Sequence, residues 1–348
     1  MSSAKRKPKL KFSIGLVLMI GLLAVVLGAV AGRASTDSSG GGGGGGTAAV
    51  AGKRVDVIIK ASDSSFWQTM LAGAKKAGQD FGVQVDLFGP TSETDVNEQV
   101  QLVENSISRG VDAIAIASNS SDALNDVIDR AREADIKVIT VDNKVTTETD
   151  GFIGTDNLKA GEAGGQKLCE LLKDQGKSSG EVMIESSVAG VQVLSDRDKG
   201  FDQGLTAACP EVKVGLKRYN NNDINTAAGQ VNDALTSRSS LIGVFADNNT
   251  SGNGAARAVK DNDAAESLPV VAFDSDPQEN AALADGAIDA LVVQNPYFFG
   301  YQGVVEAAMA TTGNFPPVNL DPGAVVVTKE NMNRPDVKRL LTPPTEKL

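Results

Sequence analysis

An apolar strand runs straight into an aspartate twice in this chain, first as Val138-Ile139-Thr140-Val141-Asp142-Asn143 and again as Val270-Val271-Ala272-Phe273-Asp274-Ser275-Asp276. A continuous apolar run of this length suits a parallel strand buried on both faces, and the ligands of open α/β sheets sit outside the carboxyl ends of such strands. Two strands that each end in a carboxylate, in a chain of alternating strands and helices, predict two α/β lobes facing each other across a cleft. A small polar ligand is the expected occupant.

The pattern supports two lobes throughout. Strands are predicted at Val55 to Lys60, Val83 to Phe88, Ala113 to Ala117 and Lys137 to Val141, with helices over Phe66 to Phe81, Asp95 to Ser108 and Ser121 to Ala134 between them. These are right-handed βαβ units of a doubly wound parallel sheet. After Gly151-Phe152-Ile153-Gly154 the plan restarts, with a helix from Asn157 to Lys173 and strands at Glu181 to Ile184, Val212 to Leu216, Leu241 to Ala246 and Pro269 to Phe273. A strand at Ala287 to Val293, a helix at Tyr301 to Met309 and a short strand at Gly323 to Thr328 follow, and are shared between lobes whose sheets already precede them. At 348 residues, two lobes also fit the size at which single cores stop growing.

Composition removes several function classes. The formal charge is −11, yet residues 1–33 hold six basic side chains and no acid, so the remainder has 27 basic against 44 acidic residues, or −17. Such a body repels nucleic acid and anionic membranes. The chain has no histidine, which excludes a Ser-His-Asp triad, a Cys-His pair and any histidine-dependent metal site; two cysteines are too few for a structural zinc. No G-x-G-x-x-G or phosphate-binding loop follows the first strand, and Gly252-Asn253-Gly254-Ala255 reads as an ordinary helix start. Most familiar hydrolase chemistry falls away, and neither a metal nor a cofactor is expected.

The basic head Lys5 to Lys11 precedes an apolar run from Phe12 to Gly32, and Ala29-Val30-Ala31 offers a small-x-small cleavage site. The segment reads as an export signal, or as an uncleaved N-terminal anchor, since the run is about long enough to span a bilayer. Ser38 to Gly46 (SSGGGGGGG) is a flexible linker. The two cysteines, Cys169 and Cys209, are an even count in an oxidising compartment and point to a disulfide; two small buried hydrophobes on neighbouring helices are the alternative.

Candidate site residues cluster at the strand ends. Lys60-Ala61-Ser62-Asp63-Ser64-Ser65-Phe66-Trp67 leaves the first strand, and Phe66 with Trp67, the only tryptophan, either packs in the core or stacks on the C–H face of a sugar. Asp142 and Asp274 either cap helices or accept from the hydroxyls of a vicinal diol. Arg197, in Ser195-Asp196-Arg197-Asp198-Lys199-Gly200-Phe201, either pairs with its acidic neighbours at the surface or presents its guanidinium fork to ring and hydroxyl oxygens.

With SSFW, VITVDN, DRDKGF, VFADNN, VVAFDSD and DALVVQNPYFFGY in this order, the chain resembles the periplasmic binding proteins that serve sugar ABC transporters, the ribose-binding-like branch, over about Arg54 to Asn331. The resemblance implies ligand contacts from Lys60, Ser64, Phe66, Trp67, Asp142, Asn143, Arg197, Asn248, Asp274 and Gln294. Asn143 stands where arginine is common, and Asn222 where an aromatic usually closes the ring sandwich. Lys60 looks like the lysine of rhamnose and autoinducer-2 binders, whereas Arg197 and Asp247 depart from the autoinducer pattern. The implied topology gives one lobe as 54–155 plus 295–322 and the other as 156–294 plus 323–331, with a leader at 1–33, a linker at 34–53 and a tail at 332–348. Hinge crossings would fall near Thr155, Gln294 and Pro322.

The function expected from this resemblance is extracytoplasmic capture of a monosaccharide or small polyol by a monomer, with delivery to an ABC permease in the membrane. A co-receptor handing a sugar or autoinducer-like signal to a membrane sensor is the alternative. A repressor of the same fold would need a helix-turn-helix where the signal and glycine tether stand, and a Rossmann-type enzyme would need the missing glycine loop.

Overall fold

The computed structural model describes residues 49–313 and 318–344. The proposed leader, the glycine run Ser38 to Gly46, and residues 314–317 and 345–348 lie outside the described residues. Among the described residues, no helix is long and apolar enough to cross a membrane.

The first lobe carries strands β1 (Arg54–Ile58), β2 (Gln84–Phe88), β3 (Ala113–Ile116), β4 (Lys137–Val141) and β5 (Gly151–Ile153), with helices α1 (Ser65–Phe81), α2 (Val96–Arg109) and α3 (Asn125–Glu133) between them. The second carries α4 (Asn157–Asp174), β6 (Gly180–Ser186), α5 (Gln192–Ala208), β7 (Val212–Tyr219), α6 (Ile224–Ser237), β8 (Leu241–Ala246), α7 (Asn249–Asp261), β9 (Val270–Phe273), α8 (Pro277–Asp285) and β10 (Ala290–Val293). The chain then gives α9 (Pro296–Ala310), β11 (Val318–Leu320), β12 (Val325–Thr328) and α10 (Pro335–Leu341).

Strand order is β11-β5-β4-β3-β1-β2 in one sheet and β12-β10-β9-β8-β6-β7 in the other. The pairings are parallel apart from β10 with β12, which is antiparallel. Each central strand is buried along its length because helices cover both faces, which is why its sequence is a continuous apolar run rather than an alternating one. In the first lobe, one face packs Val57, Ile139 and Val141 under α1 and α9, and the other packs Ile58, Ile114 and Val138 under α2 and α3. The late helix α9 thus returns to the first lobe. Its axis lies so close to that of α1 that a Cβ on Gly73 or Gly300 would run into the carbonyl of Tyr297 or Met70.

Cys169 on α4 and Cys209, which caps the C-terminus of α5, form a disulfide with Cα atoms 5.8 Å apart and a sequence separation of 40. The Gly252-Gly254 segment lies inside α7, where a Cβ on Gly254 would collide with Ala227 of α6, so these glycines serve helix packing.

Several elements depart from the sequence reading. Gly151–Ile153 and Val318–Leu320 form strands of three residues each, too short to show a period, and pair with each other at the sheet edge. Helix α9 starts at Pro296 rather than Tyr301: the Asn295 side chain accepts from Phe298 N and proline sits at the first helical position. The segment read as a tail contains α10, whose Val337 and Leu341 are buried in the second core.

Candidate functional site

Asp142 directly follows β4 and Asp274 directly follows β9, and both have left-handed backbone, with φ of 62° and 76°. Aspartate tolerates that region better than most residues. Each amide still serves the sheet, Asp142 N donating to Ile153 O at 2.8 Å and Asp274 N to Val292 O at 2.9 Å. The ladder is therefore kept while the chain turns and the carboxylate is left at the strand end. Neither is a helix cap. The cap of α8 is Asp276, which accepts from the amides of Gln278 and Glu279.

One cavity between the lobes is lined by Lys60, Ser64, Phe66, Trp67, Glu93 and Asp142 from the first lobe, and by Val193, Arg197, Asn248 and Asp274 from the second. Lys60 Nζ lies 2.9 Å from Asp142 Oδ2, both side chains being buried, and 5.3 Å from the centroid of the Trp67 ring. Phe66 and Trp67 meet edge to face with centroids 4.8 Å apart. The Trp67 indole donates to Glu93 Oε1 at 2.6 Å.

Arg197 is buried, not on the surface. Its Nε donates to Asn157 Oδ1 and its Nη1 to the carbonyl of Asp247, both at 2.8 Å, and Nη1 stands 3.8 Å from Asp274 Oδ2. The guanidinium rests 4.3 Å from the ring centroid of Phe273. Its acidic neighbours look elsewhere, Asp198 to Lys217 and Asp196 to Gln192. Gln294 donates to Asp274 Oδ1 at 2.7 Å.

Burial pushes the Asp274 carboxyl up to about 6; Arg197 and Gln294 pull against this, while Asp142 and Glu93 add to it. Burial also raises Glu93, against the pull of Lys60 and of the Trp67 N–H. Carboxylates, a guanidinium and an aromatic edge, spread over both lobes of one cavity, can accept from several hydroxyls, donate to ring oxygens and cover a C–H face.

Eight of the eleven residues singled out in the sequence line this cavity: Lys60, Ser64, Phe66, Trp67, Asp142, Arg197, Asn248 and Asp274. The structure does not bring the other three to its wall. Asn143 is buried with its amide donating to the carbonyl of Lys144 at 3.1 Å. Asn222 lines a neighbouring groove at the cleft edge and accepts from Asn248 Nδ2 at 3.0 Å. Gln294 acts behind Asp274. Asn248 is also committed in part, since its Oδ1 caps α7 by accepting from Ser251 N.

Glu93, Val193 and Asn157 escaped the sequence reading. Glu93 lies in the loop that leaves β2, so the logic applied to the strand ends at Asp142 and Asp274 reaches it once β2 is placed beside β1. Asn157 opens α4 at a passage between the lobes, where no motif marks it.

Comparison with known proteins agrees with this geometry. Residues 55–314 match the sequence model of the periplasmic binding protein domain. The chain belongs to the periplasmic binding protein family. It is 27% identical over 264 residues to the D-allose-binding periplasmic protein of Escherichia coli K12, covering 74% of this chain and 84% of the relative. It is 25% identical to the ribose import binding protein of Salmonella typhimurium, covering 76% and 87%. Among solved structures, a carbohydrate transporter solute binding protein from Agrobacterium radiobacter in complex with D-arabinose superposes with a TM-score of 0.81 at 33% identity, covering 84% of this chain and 99% of that one. A solute binding protein from Agrobacterium vitis with bound D-fucose gives 0.78 at 31%, covering 83% and 99%. The fold of this periplasmic binding protein is accordingly the type I arrangement of two parallel-sheet lobes, and the relatives it resembles are sugar-binding transport proteins, not enzymes.

Proposed function

We propose that this periplasmic binding protein captures a monosaccharide or small polyol outside the cytoplasm and delivers it to an ABC permease. The observation that carries the reading is the convergence of Asp142 from the first lobe with Arg197 and Asp274 from the second on one cavity walled by Phe66 and Trp67. Relatives named for D-allose and ribose, and a similar solved structure in complex with D-arabinose, support a pentose or hexose as the occupant. Ser64, Asn248 and the two aspartates are the groups we assign to its hydroxyls, with Arg197 on a ring or hydroxyl oxygen.

The lobes we assign are 54–155 plus 295–322 and 156–294 plus 323–331, moving about crossings near Thr155, Gln294 and Pro322. Ligand contacts made by both lobes exist only when the cleft is shut, so the ligand stabilises the closed state by that difference. We assign the segment before Arg54 to export and tethering, which would keep the protein, as a monomer, at the membrane face where a permease is reached.

A thermal-shift panel of pentoses, hexoses, deoxyhexoses and alditols tests the reading. A sugar that binds only the folded state raises the melting temperature by mass action, by an amount that grows with its concentration. A panel in which nothing raises it contradicts sugar capture.

A further inference from the structure

The charges in the cavity are unevenly matched. Lys60 is paired with Asp142, and Arg197 is held by Asn157 and the Asp247 carbonyl beside Asp274. Glu93 has a different kind of partner: its carboxylate accepts from the neutral indole N–H of Trp67, and Lys60 reaches it only through space. Three carboxylates thus stand against two cations, and both cations are already engaged. Burial, Asp142 and Asp63 raise the Glu93 carboxyl while Lys60 and the Trp67 N–H pull against them, so the charge Glu93 brings to the cavity grows as pH rises.

We infer that Glu93 is a specificity-determining residue of this cleft, which fixes the Trp67 ring in the wall and sets a negative charge that selects neutral sugars over acidic ones. This rests on the sugar-binding reading above. A buried indole N–H left without an acceptor carries a desolvation cost, so Trp67 keeps its place in the wall because Glu93 accepts from it. A ligand bearing a carboxylate or phosphate meets a cavity of like charge with no free cation, and like charges brought together out of water repel strongly. Hydroxyls instead find acceptors already oriented.

Two variants separate the roles. Glu93→Gln keeps a carbonyl oxygen for the Trp67 N–H and removes the charge, whereas Glu93→Ala removes both. Trp67 is the only tryptophan, so its emission reports on this wall directly. In the free protein, Glu93→Gln should leave the emission maximum where it is and Glu93→Ala should move it. An unmoved maximum in Glu93→Ala overturns the positioning role without any ligand being needed.

For selectivity the probes are D-ribose, D-allose and D-arabinose against D-glucuronate, D-galacturonate and D-ribose 5-phosphate, titrated by calorimetry. The native protein should take a neutral sugar and refuse the acids, and Glu93→Gln should narrow the neutral-to-acid affinity ratio by about tenfold or more, the scale of one charge-assisted contact. An unchanged ratio in Glu93→Gln, or a native protein that prefers an acidic probe, overturns the selectivity while leaving sugar binding intact. A native protein that binds none of the six contradicts the sugar-binding reading itself and the selectivity drawn from it, and the emission comparison still decides the place of Glu93 beside Trp67.

Discussion

Gln294 donates a 2.7 Å hydrogen bond to Asp274, so the residue that follows β10 orients the carboxylate that follows β9. The bond favours the ionised acid, in opposition to the burial that raises its pKa to about 6. Gln294→Ala should therefore push that pKa further up. Ligand affinity should fall a few-fold at pH 8 and by more at pH 6, as calorimetric titration at the two values would show; an equal loss at both would place Gln294 outside the electrostatics of the site.

Asp274 gives stability and binding opposite dependences on pH. Its folded pKa lies above the ordinary 3.8, so its contribution to stability is fully present below about 3.8 and is lost as pH rises through about 6. A ligand that needs the ionised carboxylate as a double acceptor binds more tightly over the same rise. Between pH 5 and 7 the ligand-induced shift in melting temperature should grow, and in Asp274→Asn that growth should be absent.

Glu185 sits at the buried end of β6, with one oxygen held by Asn220 and the other without a hydrogen-bond partner among the described residues. Burial pushes its carboxyl up to about 7, so its contribution to stability is present below about 4.5 and lost by the time pH passes 7. Glu185→Gln removes the cost of ionising there, and should raise stability by on the order of 1–2 kcal/mol at pH 8 and much less at pH 5. Urea denaturation at the two values checks it; destabilisation at pH 8 would mean the carboxylate has a role in the fold.

The Cys169–Cys209 disulfide closes a loop spanning 40 residues between two packed helices of the second lobe. In the chain-entropy model such a bridge contributes on the order of 3–4 kcal/mol. Cys169→Ser with Cys209→Ser should lower the urea midpoint accordingly while leaving ligand affinity within about twofold, because neither cysteine lines the cavity. Exported protein showing two free thiols after alkylation without reductant would contradict the bridge.

Much of this architecture was legible because buried parallel strands print themselves as unbroken apolar runs, and β4 and β9 each deliver an aspartate at a fixed offset. What the sequence could not show depends on neighbours distant along the chain. Three-residue strands such as Gly151–Ile153 have no period to read, and exist because a partner strand from residue 318 onward completes the edge. Arg197 was legible as a ligand residue, but not the partners that hold it, Asn157 and the Asp247 carbonyl, which lie 40 and 50 residues away along the chain. Asn143 followed the motif, yet the left-handed turn at Asp142 sends its side chain away from the cavity. Glu93 carried no motif, and only the place of β2 at the sheet edge brings its loop to Trp67.

The account turns on Asp274 being a hydroxyl acceptor in a sugar cleft. Calorimetric titration of the native protein and of Asp274→Ala, with the sugar that raises the melting temperature most, tests this directly. Loss of a charged hydrogen-bonding partner of about 1.5–3 kcal/mol predicts a Kd raised roughly ten- to a hundredfold or more. Arg197 keeps Asn157 and the Asp247 carbonyl, so the variant should still unfold in a single cooperative transition. A folded Asp274→Ala that binds the sugar with native affinity would contradict the account and put the site elsewhere.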